Sequence, residues 1–594
     1  MPTLNWMGKE KVVNHHRDVP YRILERIPEK GVLDSRGSDC GNMIIHGDNL
    51  EALKSLLPEY EGKVDCIYID PPYNTGNEGW VYNDNVNDPR IRKWLGQVVG
   101  KEGEDFSRHD KWLCMMYPRL QLLRKLLAPT GAIFISIDDN EQANLKLMCD
   151  EIFGSSCFVA NISWQRTYST RNDSKGIPSE VEHLLAYGKQ AGWQPRKLPR
   201  TAEMDSKYKN PDGDIMPWRS DNPCAPGAAT HQGMVYAIQH PFNGELLYPY
   251  NGSCWRYQQD QMLEYMSGWC PYELVNIDDA ERRAEVCGLR PEEVRADVKA
   301  IMLAQPIEDS RLIARRVQDT GPWPRFYFTR NGKGGIARKT YLDSVGGRLP
   351  TNFWPHAEVG HTDEAKKELK AIFGGKAPFD TPKPTRFIER VLQVAAGDDA
   401  LVLDSFAGSG TTAHAAMRLN QGDGGNRRYI LVEMMDYADT VTAERVRRVI
   451  SGYGEGKNAV AGIDSGFSYY ELGPALFHVE EPPLAGRSAS PMISLNADVP
   501  AEAVRRYVWH IETRAEYVDR TGECPWLLGE HAQAAYYLVY VPGEETVLDY
   551  DLLGGFPVKG SPTVVYANRC ALSPDQLEAA GVAFKQIPSQ IARM

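Results

Sequence analysis

Near-continuous apolar runs, each followed by a stretch of helical period, recur at both ends of this chain and narrow most what it can fold into. From residue 42, NMIIHGDNLEALKSLLPEYEGKVDCIYIDPPY reads as a short strand, a turn at Gly47–Asp48, a helix over about 49–57 and a buried strand 64–69 ending at Asp70. MMYPRLQLLRKLLAPTGAIFISIDDNEQANLKLMCDEIFG predicts a helix, a turn at Pro129–Gly131, a strand 132–137 and another helix, and 182–189 adds one more strand. The rhythm stops over about 190–350. It resumes after 361 with helices in TDEAKKELKAIF and RFIERVLQVAA, a strand at 400–403, a helix after Gly410, a strand at 428–433 and a helix at 434–450. Strands apolar on both faces and joined by helices belong to a parallel sheet covered on both sides. The expected fold class is therefore α/β. One sheet domain lies in two pieces, 20–189 and 361–475, with a 1–19 extension, an insertion at 190–360 and a small α+β module at 476–594.

Composition and charge restrict function less than they first suggest. The 594 residues, 42% hydrophobic and 25% charged, leave room for two to four domains. No run reaches the roughly 18–20 apolar residues of a membrane span, and the first residues carry no apolar export core. The eleven cysteines include no CxxC pair, which points away from a disulfide scaffold or zinc finger and towards a reducing cytoplasm; no metal is expected. Cys66 falls within a strand and reads as core, whereas the adjacent His15 and His16 read as surface. A net charge of −12 weighs against a nucleic-acid partner until it is mapped. Residues 451–594 hold 18 acidic against 10 basic residues, while 301–350 hold 9 basic against 4 acidic. The acidity is a property of the tail. The insertion, rich in Pro, Gly, Trp and Tyr, predicts little helix outside 291–304. The tail predicts a helix in YVWHIETRAEY and a hairpin between AAYYLVYV and TVLDY.

Two strand ends carry chemistry. Asp70-Pro71-Pro72-Tyr73-Asn74-Thr75-Gly76 leaves a strand at its carboxyl end, where open parallel sheets bind ligands. Two prolines stiffen the turn and leave its carbonyls free to accept. An amino group on a planar heterocycle would satisfy the whole set: Asp70 and the Pro71 carbonyl accept its hydrogens while Tyr73 stacks on the ring. Such acceptors draw the lone pair out of conjugation and aim it at an electrophile. A strand-end turn with an incidental Asp is the plainer reading, and seven consecutive residues weaken it. The second run, Asp404-Ser405-Phe406-Ala407-Gly408-Ser409-Gly410-Thr411-Thr412, has glycines that permit a tight turn and close backbone approach. It lacks the Gly-Lys-Ser/Thr of a triphosphate loop. About 20 residues on, Glu433 ends the next strand, where a carboxylate can accept ribose hydroxyls. One piece thus offers an acceptor site and the other a nucleoside-shaped cofactor site.

In this order the motifs closely resemble the N6-adenine DNA methyltransferases of the β arrangement, above all the modification subunits of type III restriction–modification systems. DPPYNTG (70–76), the insertion and FAGSG (406–410) carry the resemblance, with IIHGDNLEAL (44–53), TPKPTRFIERVL (381–392), YILVE (429–433) and GFSYYELGP (466–474). It implies a Rossmann-like methyltransferase sheet with circularly permuted motif order and an inserted recognition domain. The activity implied is transfer of the S-adenosyl-L-methionine methyl group to N6 of a flipped adenine in double-stranded DNA. By this resemblance Asp70, Pro71, Pro72 and Tyr73 hold the adenine. Asp404, Phe406, Gly408 and Gly410 shape the cofactor pocket, Glu433 binds ribose, Lys383 and Pro384 pack over the methionine end, and Asp48 lies near. A homodimer and a restriction nuclease or helicase subunit are the implied partners. For DNA contact the candidates are Asn74, Trp80 and Tyr82 beside the catalytic turn and Arg315, Arg316, Arg330, Arg338 and Lys339 in the basic end of the insertion. Cytosine-N4 transfer uses the same amine geometry and stays open, as does a subunit that chiefly recognises DNA for a separate nuclease.

Overall fold

The computed structural model describes residues 4–75, 105–168, 176–480, 492–515, 517–557 and 562–591. The main sheet has ten strands, numbered in chain order: β1 (Arg22–Arg26), β2 (Met43–His46), β3 (Val64–Ile69), β4 (Leu127–Ile137), β5 (Phe158–Gln165), β6 (Val181–Gly188), β7 (Phe353–Trp354), β8 (Leu401–Asp404), β9 (Arg428–Glu433) and β10 (Ser468–Ala475). Their spatial order is β1-β10-β2-β9-β8-β3-β4-β6-β5-β7. From β10 to β4 all neighbours are parallel, and β6 runs antiparallel between β4 and β5. Strands β3 and β8 are central because their apolar residues are buried on both faces: Cys66, Ile67, Ile69, Val402 and Leu403 have no exposed surface. These two strands pair with Val402 opposite Cys66 and Leu403 opposite Ile67. Strand order reverses between them, so both motif-bearing turns emerge side by side at the carboxyl edge.

The helices follow from local signals. Asp48 caps the helix Asn49–Tyr60, accepting from the Leu50 and Glu51 N–H groups at 2.8 and 3.3 Å. Asn49 then ties this helix to the second motif by donating to the Ser405 carbonyl at 3.1 Å. The helices Thr385–Ala395 and Thr411–Asp423 begin where the sequence predicts. The expected turn at Pro129–Gly131 lies instead inside the single strand β4, which shifts register against β3 between the Val64 and Cys66 pairings. His15 and His16 are not surface residues. Their short helix buries both, and burial, followed by Lys125, lowers the His16 pKa to about 4. No helix among the described residues is long and apolar enough to cross a membrane.

Residues Lys197–Leu349 form a second unit, shorter than the expected 190–360 insertion because Phe353 and Trp354 already extend the main sheet through β7. Its Trp218, Trp255, Trp269, Phe326 and Phe328 share one core. The helix expected at 291–304 is a correction. That stretch holds only a short turn of helix, then the strand Ala300–Leu303, drawn into a four-stranded sheet by pairing with Tyr272–Val275. The regular helices are Gln259–Ser267, Ala280–Cys287 and Ile307–Thr320. At the ends of this unit Leu198 and Arg348 exchange N–H···O bonds in both directions, at 2.8 and 2.9 Å.

The tail does not separate from the main unit. The helix Ala501–Thr513 overlaps the one expected in YVWHIETRAEY but starts six residues earlier and ends at Thr513, and it turns Val504, Tyr507 and Val508 into a cluster with Tyr21 and Ile23. The expected hairpin is absent from its place. Ala534–Leu538 pairs with Leu527–His531 and Thr563–Ala567, and Val547–Leu548 pairs with Arg569–Cys570. Ala534–Leu538 is taken on one side by the strand just before it and on the other by the more distant Thr563–Ala567, which leaves no edge for the expected partner.

Candidate active site

Where β3 and β8 end, a cavity of about 570 Å³ opens. One wall is Asp70, Pro71, Pro72, Tyr73 and Thr75; the other is Asp404, Phe406, Ala407, Gly408 and Ser409. Trp112 donates its indole N–H to the Pro72 carbonyl at 2.7 Å, bracing the proline turn from below. Asn74 sits in the left-handed region at φ 59° and is fully buried. Its amide donates to Glu141, which His109 also contacts at 2.5 Å. Asn74 therefore secures the turn and does not line the cavity.

The opposite turn is shaped by its glycines. Gly408 and Gly410 have φ of 51° and 77°, and a Cβ on Gly410 would lie 2.8 Å from the Thr442 carbonyl oxygen. Glu433 accepts from the Gly408 and Met435 N–H groups at 2.8 and 3.1 Å. Thr442 donates to the Gly408 carbonyl at 2.6 Å. Arg445, buried beneath, donates to Ser409 and Thr411 at 3.0 and 2.7 Å. Asp404 accepts from Thr412 at 2.5 Å and from the Phe406 N–H at 3.0 Å. Burial pushes both Asp404 and Glu433 up to about 7. Asp404, Phe406 and Gly408 line the cavity, whereas Glu433, Gly410, Asp48 and Pro384 are not among its lining residues.

Lys383 lines the cavity on the side of Asp70 and Tyr73. Its ammonium donates to both Asp70 oxygens at 2.8 and 2.6 Å and to the Tyr73 hydroxyl at 2.9 Å, and it lies 5.0 Å from the Tyr73 ring centroid. Glu182, 3.8 Å from the same ammonium, accepts from Tyr73 at 3.1 Å and from Arg166 at 2.7 Å. Burial works against the charge of Lys383, but Asp70 and Glu182 outweigh it and hold its pKa above the ordinary lysine value. Burial raises Asp70 above the usual carboxylate range, and Lys383 opposes that rise.

Several lining residues escaped the sequence reading. Glu182 opens β6, which the pattern marked only as a strand; a carboxylate at the head of an apolar run was the available signal. Trp164 and Arg166 lie at the end of β5. Phe379 and Tyr437 face each other with ring centroids 5.8 Å apart beside the glycine turn, and nothing local to either sequence marks them.

The DNA-contact candidates fare unevenly. Arg315 and Arg316 are exposed on the helix Ile307–Thr320, and Arg330 is exposed at φ 51°. Arg338 is tied to Asp221 at 2.6 Å. Lys339 is a correction: it is fully buried and bound by Asp212 and, at 2.6 Å, Asp214, so its charge is consumed inside the unit. Trp80, Tyr82 and Gly76 lie outside the described residues. A cleft of about 440 Å³ in Lys197–Leu349 instead gathers Arg200, Lys207 and Arg219 around Tyr208, with the Arg200 and Arg219 guanidiniums 5.2 and 5.7 Å from its ring centroid.

Comparison with known families settles the class. The N6/N4 DNA methylase family model matches residues 64–274 and 299–444, taking in both walls of the cavity. The chain belongs to this DNA methylase family. Within it, the chain is 34% identical over 499 residues to the type III restriction-modification enzyme StyLTI Mod subunit of Salmonella typhimurium, covering 79% of this chain and 66% of that protein. It is 28% identical to the EcoPI Mod subunit of Escherichia phage P1, covering 73% and 63%. It is 32% identical to the type II methyltransferase M.KpnI of Klebsiella pneumoniae, covering 69% and 84%. The match thus spans about two thirds of the length of these two Mod relatives and more of the type II enzyme.

Proposed function

We propose that this DNA methylase transfers the methyl group of S-adenosylmethionine to N6 of an adenine flipped out of a specific double-stranded DNA sequence. The observation that carries the reading is that a single cavity is bounded by an amine-orienting Asp-Pro-Pro-Tyr turn on one side and a glycine turn on the other. The residues fit the cofactor. The glycine turn itself lines the cavity, with the Phe379 and Tyr437 rings beside it for a nucleoside to pack on, and a Cβ on Gly408 would crowd the Phe379 ring at 3.2 Å. Phe406, Ala407, Gly408, Met435 and Tyr437 would hold the cofactor, with Asp404 beneath them. When bound, S-adenosylmethionine supplies a methyl group on a sulfonium, itself a good leaving group.

The chain's own groups do the rest. Asp70 and the Pro71 carbonyl accept the hydrogens of the target amine, pinning its lone pair towards the cofactor side. Tyr73 offers its ring to the base. A base within a duplex must leave the stack to reach them. The motif order, catalytic turn before cofactor turn with Lys197–Leu349 between as the reader, supports a circularly permuted methyltransferase. Similarity to the Mod subunits of type III restriction-modification enzymes supports work alongside a separate restriction subunit, and the homodimer expected from the sequence is part of the same proposal.

Purified protein incubated with unmethylated genomic DNA and S-adenosylmethionine tests the reading. Sequencing of modified bases should return N6-methyladenine at one recurring sequence. N4-methylcytosine there would transfer the assignment to cytosine, and no modified base would overturn it. Asp70→Ala should lower transfer by at least about 100-fold, the scale of losing a preorganised polar group, while calorimetry still detects cofactor binding.

A further inference from the structure

We propose that Lys383 is a positioning residue of the acceptor pocket: without DNA its ammonium fills the place of the target amine, and it yields that place to the entering base by shifting its pairing to Glu182. The proposal rests on the methyltransferase reading above. An ammonium carries three hydrogens and accepts none. Those of Lys383 face both Asp70 oxygens and the Tyr73 hydroxyl, at 2.6–2.9 Å. Of these, Asp70 is the acceptor that a flipped amino base also needs. Amine and lysine therefore compete for the same carboxylate, and base entry requires Lys383 to release at least one of its oxygens.

The release has somewhere to go. Glu182 Oε2 stands 3.8 Å from the ammonium, and Arg166 and Tyr73 already brace that carboxylate. A buried cation stripped of its partners is costly. A second carboxylate within reach lets Lys383 step aside while remaining paired. Lysine suits the task better than arginine because its donors rotate about one compact centre. Among the described residues its polar partners lie on the acceptor side: Asp70, Tyr73 and Glu182. Until the base arrives, the lysine opposes the upward push of burial on Asp70 and holds its carboxylate at the cavity, which Asp404, Tyr68 and Glu182 also line.

The test compares the wild type with Lys383→Met and Lys383→Arg in three measurements: cofactor affinity by calorimetry, kcat and KM on unmethylated genomic DNA, and the pH dependence of kcat. Lys383→Met should lose about 10- to 100-fold in kcat, the range of a hydrogen bond to a charged group. Its cofactor affinity should stay within about threefold, the scatter of context-dependent effects at a distance. Its acid limb should move up by about 1–3 pH units, because Asp70 has lost the adjacent cation. Lys383→Arg should return the acid limb towards the wild-type position. Cofactor affinity weakened tenfold or more, with kcat at saturating cofactor preserved, would assign Lys383 to the cofactor and overturn the proposal. An unmoved acid limb would also overturn it. If Lys383→Met does not fold, Lys383→Gln carries the same comparison. Wild-type protein that modifies no DNA base would remove the functional reading itself, whereas an active wild type with unresponsive variants removes this proposal alone.

Discussion

Asp404 shows how a single buried carboxylate links stability to proton uptake. Its pKa in the folded protein, about 7, lies above its ordinary value of 3.8. The folded state therefore binds this proton more tightly than the unfolded state between those values, and stability falls as pH rises from about 4 to about 7. Glu433 acts with the same sign. Thermal melts of the ligand-free protein should show Tm falling across that window, and Asp404→Asn should remove part of the slope. A variant with an unchanged slope would contradict the assignment. The residue scale is also where sequence was most and least informative. The Asp-Pro-Pro-Tyr and glycine turns could be read because prolines and glycines declare their backbone at the strand ends that hold them. The pairing of Lys383 with Asp70 could not, because 313 residues separate the two and only the closed sheet brings them together.

At the level of elements, the glycine turn should tolerate little. Gly410→Ala puts a side chain at φ 77° and 2.8 Å from a backbone oxygen, so it should cost about 1–3 kcal/mol in denaturant unfolding and weaken cofactor binding. The basic cleft around Tyr208 predicts a different signature. Replacing Arg200, Lys207 and Arg219 together with Gln should raise KM for DNA. It should also flatten the dependence of binding on salt by about 0.9 in log–log slope for each phosphate that is no longer neutralised. Cofactor affinity should not move. An unchanged salt slope would remove the cleft from the DNA path. The parallel strands could be read in sequence because they are apolar throughout, as in the Val64–Ile69 run. The insertion could not, because the two- to six-residue strands of its small sheets leave no period to detect. Ala300–Leu303 thus looked like the end of a helix until Tyr272–Val275 claimed it.

Across the whole molecule, the chain crosses into Lys197–Leu349 and back through two neighbouring strands of backbone, fastened to each other at Leu198 and Arg348. Replacing residues 199–347 with a short Gly/Ser linker should therefore leave the ten-stranded sheet able to form. The shortened protein should bind S-adenosylmethionine with near wild-type affinity by calorimetry and lose site-specific methylation. A shortened protein that no longer binds the cofactor would show that the sheet depends on the inserted unit. The acidic total charge misleads at this scale, because the 18 acidic residues of 451–594 mask the balance elsewhere. The paired crossing has a further consequence for descent. A segment whose two ends meet in space can be exchanged as one piece, for another of different length, without disturbing the ends of β3 and β8. With Lys197–Leu349 in its proposed role as reader, the address could change while the two turns that carry the chemistry stay as they are.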